Sequence, residues 1–163
     1  MRLDEIEFMP NPYGRWATAL SYGLTGGAFA MLMNTSANTA FWSALLGLLV
    51  YVFILWSERS KGIANMLEPL VSMMSAIGAC AIAAYIDPGI NIHLAVLSSI
   101  IVMVPGLALT IGLQELSARH LVSGTAKVMD AVMILFKLYF GAFVGIEIGH
   151  SLFGQVDYVI QPM

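Results

Sequence analysis

Ala40-Phe-Trp-Ser-Ala-Leu-Leu-Gly-Leu-Leu-Val-Tyr-Val-Phe-Ile-Leu-Trp56 decides the class of fold, because it holds no charged residue and almost nothing polar. A membrane-spanning helix takes about 20 mainly apolar residues, and about 17 at the lower limit, to cross roughly 30 Å of hydrocarbon. Four further stretches, Trp16–Met33, Leu67–Ile86, Ile92–Leu113 and Val128–Phe153, qualify or nearly qualify as spans by length and apolar content. The whole chain agrees, with 163 residues that are 59% hydrophobic and only 10% charged. Soluble domains average about 45–50% apolar and 25% charged, and a soluble core of this length has no room for so much apolar surface. In a bilayer that surface can face lipid instead. The spans must be helices, because lipid offers no partner to backbone groups left open, and the roughly ten-residue alternation of barrel strands is absent. The expectation is an all-α membrane protein, a single transmembrane domain over residues 1–163, with five spanning helices.

The connections set the orientation. Asn34–Asn38 and Asp87–Asn91 read as tight loops, whereas Ser57–Gly62 and Gln114–Lys127 read as longer, charged ones. Arg2 and Arg15 precede the first span, Arg59 and Lys61 lie in the second loop, and Arg119 and Lys127 in the fourth. The first loop, the third loop and the tail hold no Lys or Arg, and Lys137 lies inside a span. The positive-inside rule then places the N-terminus in the cytoplasm and the tail outside. Trp16, Trp42, Trp56 and Tyr158 sit near span ends, as interfacial aromatics do. The opening segment is acidic and broken by prolines, so it is not expected to be a signal peptide. An odd number of spans means that a second, similar unit would run the opposite way, which is how inverted-repeat transporters are built.

Several function classes are disfavoured. A net charge of −3 and no basic cluster argue against nucleic acid as a partner. Cys80 has no second cysteine to pair with, and small-residue packing is its expected role. His93, His120 and His150 lie in separate segments with no metal-site spacing, and no catalytic signature is present. Neither an enzyme nor a cofactor nor a metal is expected.

What remains is concentrated in the last two spans. Pro105-Gly106 interrupts the fourth, since proline removes a helical hydrogen bond and crowds the preceding turn. A simple kink is one outcome. The other is a broken helix, whose free N–H groups and positive dipole end would suit a carboxylate. Thr110 follows one turn later. In the fifth span, Asp130 and Lys137 are seven residues apart, hence on one face and about 10 Å apart along the axis. Counted from Val128 and Leu113 as cytoplasmic ends, Lys137 and Pro105 both fall about 12–13 Å deep. That common depth predicts one polar cavity holding both and opening toward the Glu115 loop. Charges inside a membrane are costly and usually face a cavity or a partner, although Lys137 can also snorkel. Asp130 lies nearer the cytoplasm, at the headgroup border, while Glu147 and His150 reach the outer interface. Glu68-Pro69 opens the third span, where helix capping is the expected role and gating the lesser one. Gly23 and Gly27, and Gly141, Gly145 and Gly149, have the four-residue spacing that lets helix backbones approach.

The run Val104-Pro-Gly-Leu-Ala-Leu-Thr-Ile-Gly-Leu-Gln-Glu-Leu-Ser-Ala-Arg-His-Leu-Val-Ser-Gly-Thr-Ala-Lys127 resembles the membrane half of the threonine/serine exporter family. Pro105, Gly106, Leu107, Thr110, Glu115, Leu121, Ser123 and Gly124 look like matching positions, and Pro12–Leu32 resembles the first membrane helix of that family. Ile111 and Gln114 stand where the family pattern has asparagine and arginine, and Glu115 where it has aspartate. The resemblance implies a secondary transporter in the cytoplasmic (inner) membrane, exporting small amino acids or carboxylates in a proton-coupled way. The residues themselves supply the expected substrate contacts at Pro105, Gly106, Thr110, Glu115, Asp130 and Lys137: the helix break takes a carboxylate, Asp130 or Glu115 an ammonium, and Lys137 favours an anionic substrate such as a dicarboxylate. The resemblance further implies a partner, either a second five-helix module or another copy of the chain, so that this chain is one subunit or one piece of a larger exporter. The rival expectation is a non-transporting scaffold whose charges only pair internally.

Overall fold

A computed structural model describes residues 14–33, 35–57 and 66–154. Among them there are only helices: α1 (Arg15–Leu32), α2 (Ala37–Ser57), α3 (Leu67–Tyr85), α4 (Ile92–Ile100), α5 (Gly106–Ser117) and α6 (Leu121–Phe153), with a 3₁₀ turn at Ile101–Met103. Three of them, α2, α3 and α6, are long and apolar enough to cross a membrane, and the bent pair α4–α5 makes up to four. The expected five-span count is therefore met only in part. Helix α1 is long enough but more polar, since Arg15, Ser21, Thr18 and Thr25 dilute its apolar residues.

The bundle forms because small residues let backbones meet. Helices α3 and α6 pair most extensively, followed by α1 with α2. A Cβ built on Gly145 would lie 2.5 Å from the Met73 carbonyl oxygen and 2.7 Å from the Ala76 Cβ. One turn away, Gly141 abuts Pro69 and Ser72, and on the other side Gly149 abuts Cys80. The expected packing of this glycine series is present, and it faces α3. Tyr85 and Phe153 continue the series with their ring centroids 5.6 Å apart. Contacts that rise together in number along both chains mean that α3 and α6 run parallel. Across the bundle, Gly47 comes against the Tyr22 carbonyl, 2.7 Å from where its Cβ would sit, and Gly23 and Gly27 lie on α2 as their spacing suggests.

Two apolar clusters fill the interior. One joins Leu46, Ala79, Ile82, Ile92 and Val96; the other joins Val50, Val71, Ile100 and Leu138. Cys80 is buried and unpaired, as a small packing residue. Set in the apolar interior, the Ser75 and Ser99 hydroxyls hydrogen-bond between α3 and α4 at 2.5 Å. Such a bond glues helices where water is excluded.

The polar stretch 114–127 is a correction to the sequence reading. It is no loop, for α5 continues to Ser117 and α6 already begins at Leu121. A compact turn replaces it. The Arg119 N–H donates to the Leu116 carbonyl and the His120 N–H to the Glu115 carbonyl, at 3.0 and 2.9 Å. This is the Schellman pattern of helix endings, which needs a left-handed residue and usually takes glycine there. Arg119 fills the position with φ of 64°. Helix α6 consequently has 33 residues, about 48 Å at helical rise and well beyond the roughly 30 Å hydrocarbon core.

Candidate functional site

The fourth expected span breaks at Pro105 rather than bending gently. Helices α4 and α5 meet at 62°. Val104 is extended, with φ −67° and ψ 122°, as the steric demand of a following proline requires. Pro105 has φ −80° and ψ 56°, and the Gly106 N–H donates 2.8 Å back to the Val104 carbonyl. That closes an inverse γ-turn. The turn takes Gly106 out of the set of free N–H groups and leaves Leu107 and Ala108 to offer theirs at the start of α5. A Cβ on Gly106 would meet nothing within 4 Å, so the break opens outward. Thr110, one turn on and exposed, donates its hydroxyl to the Gly106 carbonyl at 2.9 Å.

Lys137 sits elsewhere than in the expected cavity. Its Nζ lies 3.8 Å from Glu68 Oε2, with the two side chains 40% and 23% exposed. The Glu68 Oε2 atom is itself buried and accepts no hydrogen bond. Lys137 shares a stripe with Gly141 and Gly145, which points it at the start of α3. It is therefore level with the first turn of α3. Leu67 and Val128 are not at a common height, because Val128 lies nine residues before Lys137, about 13 Å further along α6.

The nearby groove is mainly apolar, with His93 and Tyr139 as the polar groups on its wall. It encloses about 440 Å³ between α4 and α6, bordered by Val96, Ile100, Val104, Leu135, Leu138 and Ala142. Neither Lys137 nor Pro105 lines it. Val104 and Leu138, the sequence neighbours of Pro105 and Lys137, belong to one packed cluster.

Glu115 belongs to a separate constellation. Lys127 Nζ pairs with Glu115 Oε1, and the Ser123 hydroxyl donates to Oε2 at 2.5 Å. These contacts staple α5 to α6 beside Gly124, whose Cβ would lie 2.9 Å from the Gly112 carbonyl. Asp130 is exposed and joins no ion pair among the described residues. Of the expected site residues, the structure groups Pro105, Gly106 and Thr110 at the break, links Glu115 to Ser123 and Lys127, and leaves Asp130 apart. The sequence reading gave Glu68 to capping and missed it as the partner of Lys137. Its one available signal was an unmatched carboxylate at a span start opposite an unmatched lysine.

Apolar helices, glycine-packed interfaces and a broken span define a polytopic helical membrane protein. The family model described as "Putative threonine/serine exporter" matches residues 1–149, and the chain belongs to that family, which is described as an exporter and not as an enzyme. It is also 28% identical to pheromone-regulated membrane protein 10 of Candida glabrata over 161 residues, and 27% identical to the protein of that name from Eremothecium gossypii over 163 residues. Each alignment covers 94% of this chain but only 19% and 20% of those relatives, so the chain spans about a fifth of their length. No solved structure matches.

Proposed function

We propose that this chain is a transport module that exports small amino acids of the threonine and serine kind, or small carboxylates, from the cytoplasm, driven by the proton gradient. The observation that carries the reading is the 62° break at Pro105 in a member of an exporter family. A broken helix places free backbone donors and the positive end of a short helix at one spot, which suits a carboxylate. In this reading Pro105, Gly106 and Thr110 form the carboxylate end of the path. Glu115 and Asp130 border its cytoplasmic approach, and Lys137 supplies the cation. The chain crosses the cytoplasmic (inner) membrane five times with its N-terminus inside, and works with a second five-helix module or a second copy. The basic residues Arg15, Arg119 and Lys127 on one side support that orientation.

Counterflow of labelled threonine, serine and succinate into proteoliposomes tests the reading. Uptake of any of the three above protein-free vesicles supports export, and none with the chain alone and with its second module removes it. One observation favours the scaffold alternative: Lys137 already has an internal partner in Glu68. A scaffold would show no counterflow under either condition and would lose stability when that pair is cut.

A further inference from the structure

We infer that the Lys137–Glu68 pair is a receptor for zwitterions, into which an amino acid inserts its α-carboxylate toward Lys137 and its α-ammonium toward Glu68. The inference rests on the exporter reading and names the substrate class of its site. It starts from a pair that is not closed. At 3.8 Å the two charged atoms face each other but stand beyond the roughly 2.7–2.9 Å of a charge-assisted hydrogen bond. One carboxylate oxygen of Glu68 is buried and accepts nothing. A buried acceptor without a donor is costly, and any ligand that brings an ammonium relieves it. A lysine ammonium at 40% side-chain exposure is still reachable from outside the helix pair.

The helices around the pair cannot close the gap for it. Gly141 lies one turn beyond Lys137 and abuts Pro69, the residue after Glu68, while Gly145 has the Met73 carbonyl 2.5 Å from its Cβ position. Backbones in such contact fix the spacing of the two helices, so only the side chains or a ligand can change what the two charges meet. The α-ammonium and α-carboxylate of an amino acid are borne by one carbon, and they present the two charges that this site lacks. Leu138 and Leu67, the sequence neighbours of the pair, belong to one apolar cluster with Met103 and Val104, the residues that precede the α4–α5 break. A dicarboxylate has no cation for Glu68 and meets its charge instead. The pair therefore discriminates, favouring zwitterions over dianions, and Glu68 is the residue that does so.

The test is binding of labelled serine and labelled succinate to the full chain in lipid nanodiscs, read as the ratio of the two affinities on one preparation. A ratio is independent of the folded fraction. The wild type is expected to prefer serine. In Glu68→Gln, serine should weaken by about tenfold or more, the value of one hydrogen bond to a charged group, while succinate holds or tightens. Lys137→Met should weaken both ligands, and Lys137→Arg should keep both within a few-fold. An unchanged ratio in Glu68→Gln, with the wild type binding normally, overturns the receptor and leaves the exporter reading standing. Equal loss of both ligands in Glu68→Gln marks the pair as structural and also overturns it. A wild type that binds neither ligand, and shows no counterflow, removes the exporter reading and the receptor with it.

Discussion

Helix α6 has two halves with opposite characters. From Lys137 to Phe153 it lies glycine-down against α3, with backbone against backbone at Gly141 and Gly145. From Leu121 to Phe136 it packs chiefly against the short α5, and much of its surface is bare, including Val122 and Phe136. The first half is held mainly by shape at those glycines, with the Lys137–Glu68 ion pair at its start as its polar link to α3. The second is held by one close glycine contact and by Glu115 with its partners Ser123 and Lys127. Small residues thus provide affinity where lipid excludes water, and polar staples appear where the helices run on past the bundle.

The largest effect should come from filling the α3–α6 contact. Gly145→Leu is expected to cost about 3 kcal/mol or more by overpacking and to cut the yield of folded protein sharply. Val132→Leu, on the exposed face of the same helix, should leave the yield unchanged. Equal tolerance at the two sites would mean that the halves do not differ. Cutting the ion pair comes next. Lys137→Met should abolish or strongly reduce counterflow while changing stability by less than about 1 kcal/mol, because a partly exposed pair without a hydrogen bond contributes little. A loss of about 3–5 kcal/mol, the cost of stranding a buried charge, would mark the pair as structural and favour the scaffold.

A smaller effect is expected in the hairpin. Gly124→Ala should weaken the α5–α6 contact by about 1–2 kcal/mol. Hydrogen exchange should speed up in residues 106–128 alone and remain slow in α3, since the hairpin can open as a local unit. Faster exchange through α3 would show one cooperative body in place of two regions. The smallest is Arg119→Gly, which relieves a left-handed arginine and should raise stability by about 0.5 kcal/mol. A drop in melting temperature would mean that the arginine side chain contributes more than its backbone costs.

The comparison also explains what the sequence could tell. The packing glycines of α6 and the interruption at Pro105 were legible because glycine spacing and proline chemistry act locally, whereas the choice between kink and break and the helix the glycines face were not. Nor was the hairpin. A helix ending usually announces itself by glycine at its left-handed position, and here that position carries Arg119, so nothing marked the end of α5 or the start of α6. Polar residues at 114–127 then read as a loop, although they lie on helix surfaces that stand clear of the apolar core. The Lys137–Glu68 pairing was hidden for another reason. It depends on the relative height of two helices 69 residues apart in sequence, and the composition of the two segments suggests a different alignment, of Leu67 with Val128. The close contacts at Gly141, Gly145 and Gly149 set the true one.

The unbroken course of α6 gives the molecule a lever with unequal arms. If the clamp of Gly141 on Pro69 acts as the fulcrum, twenty residues lie toward the turn and twelve toward Phe153, arms of about 30 and 18 Å. A tilt of about 5° would swing the hairpin tip by some 2–3 Å and the far end by less than about 2 Å. Whatever takes hold of the Glu115 staple therefore has mechanical advantage over the opposite end of the bundle. It moves that end in the reverse direction, without any hinge inside the helix.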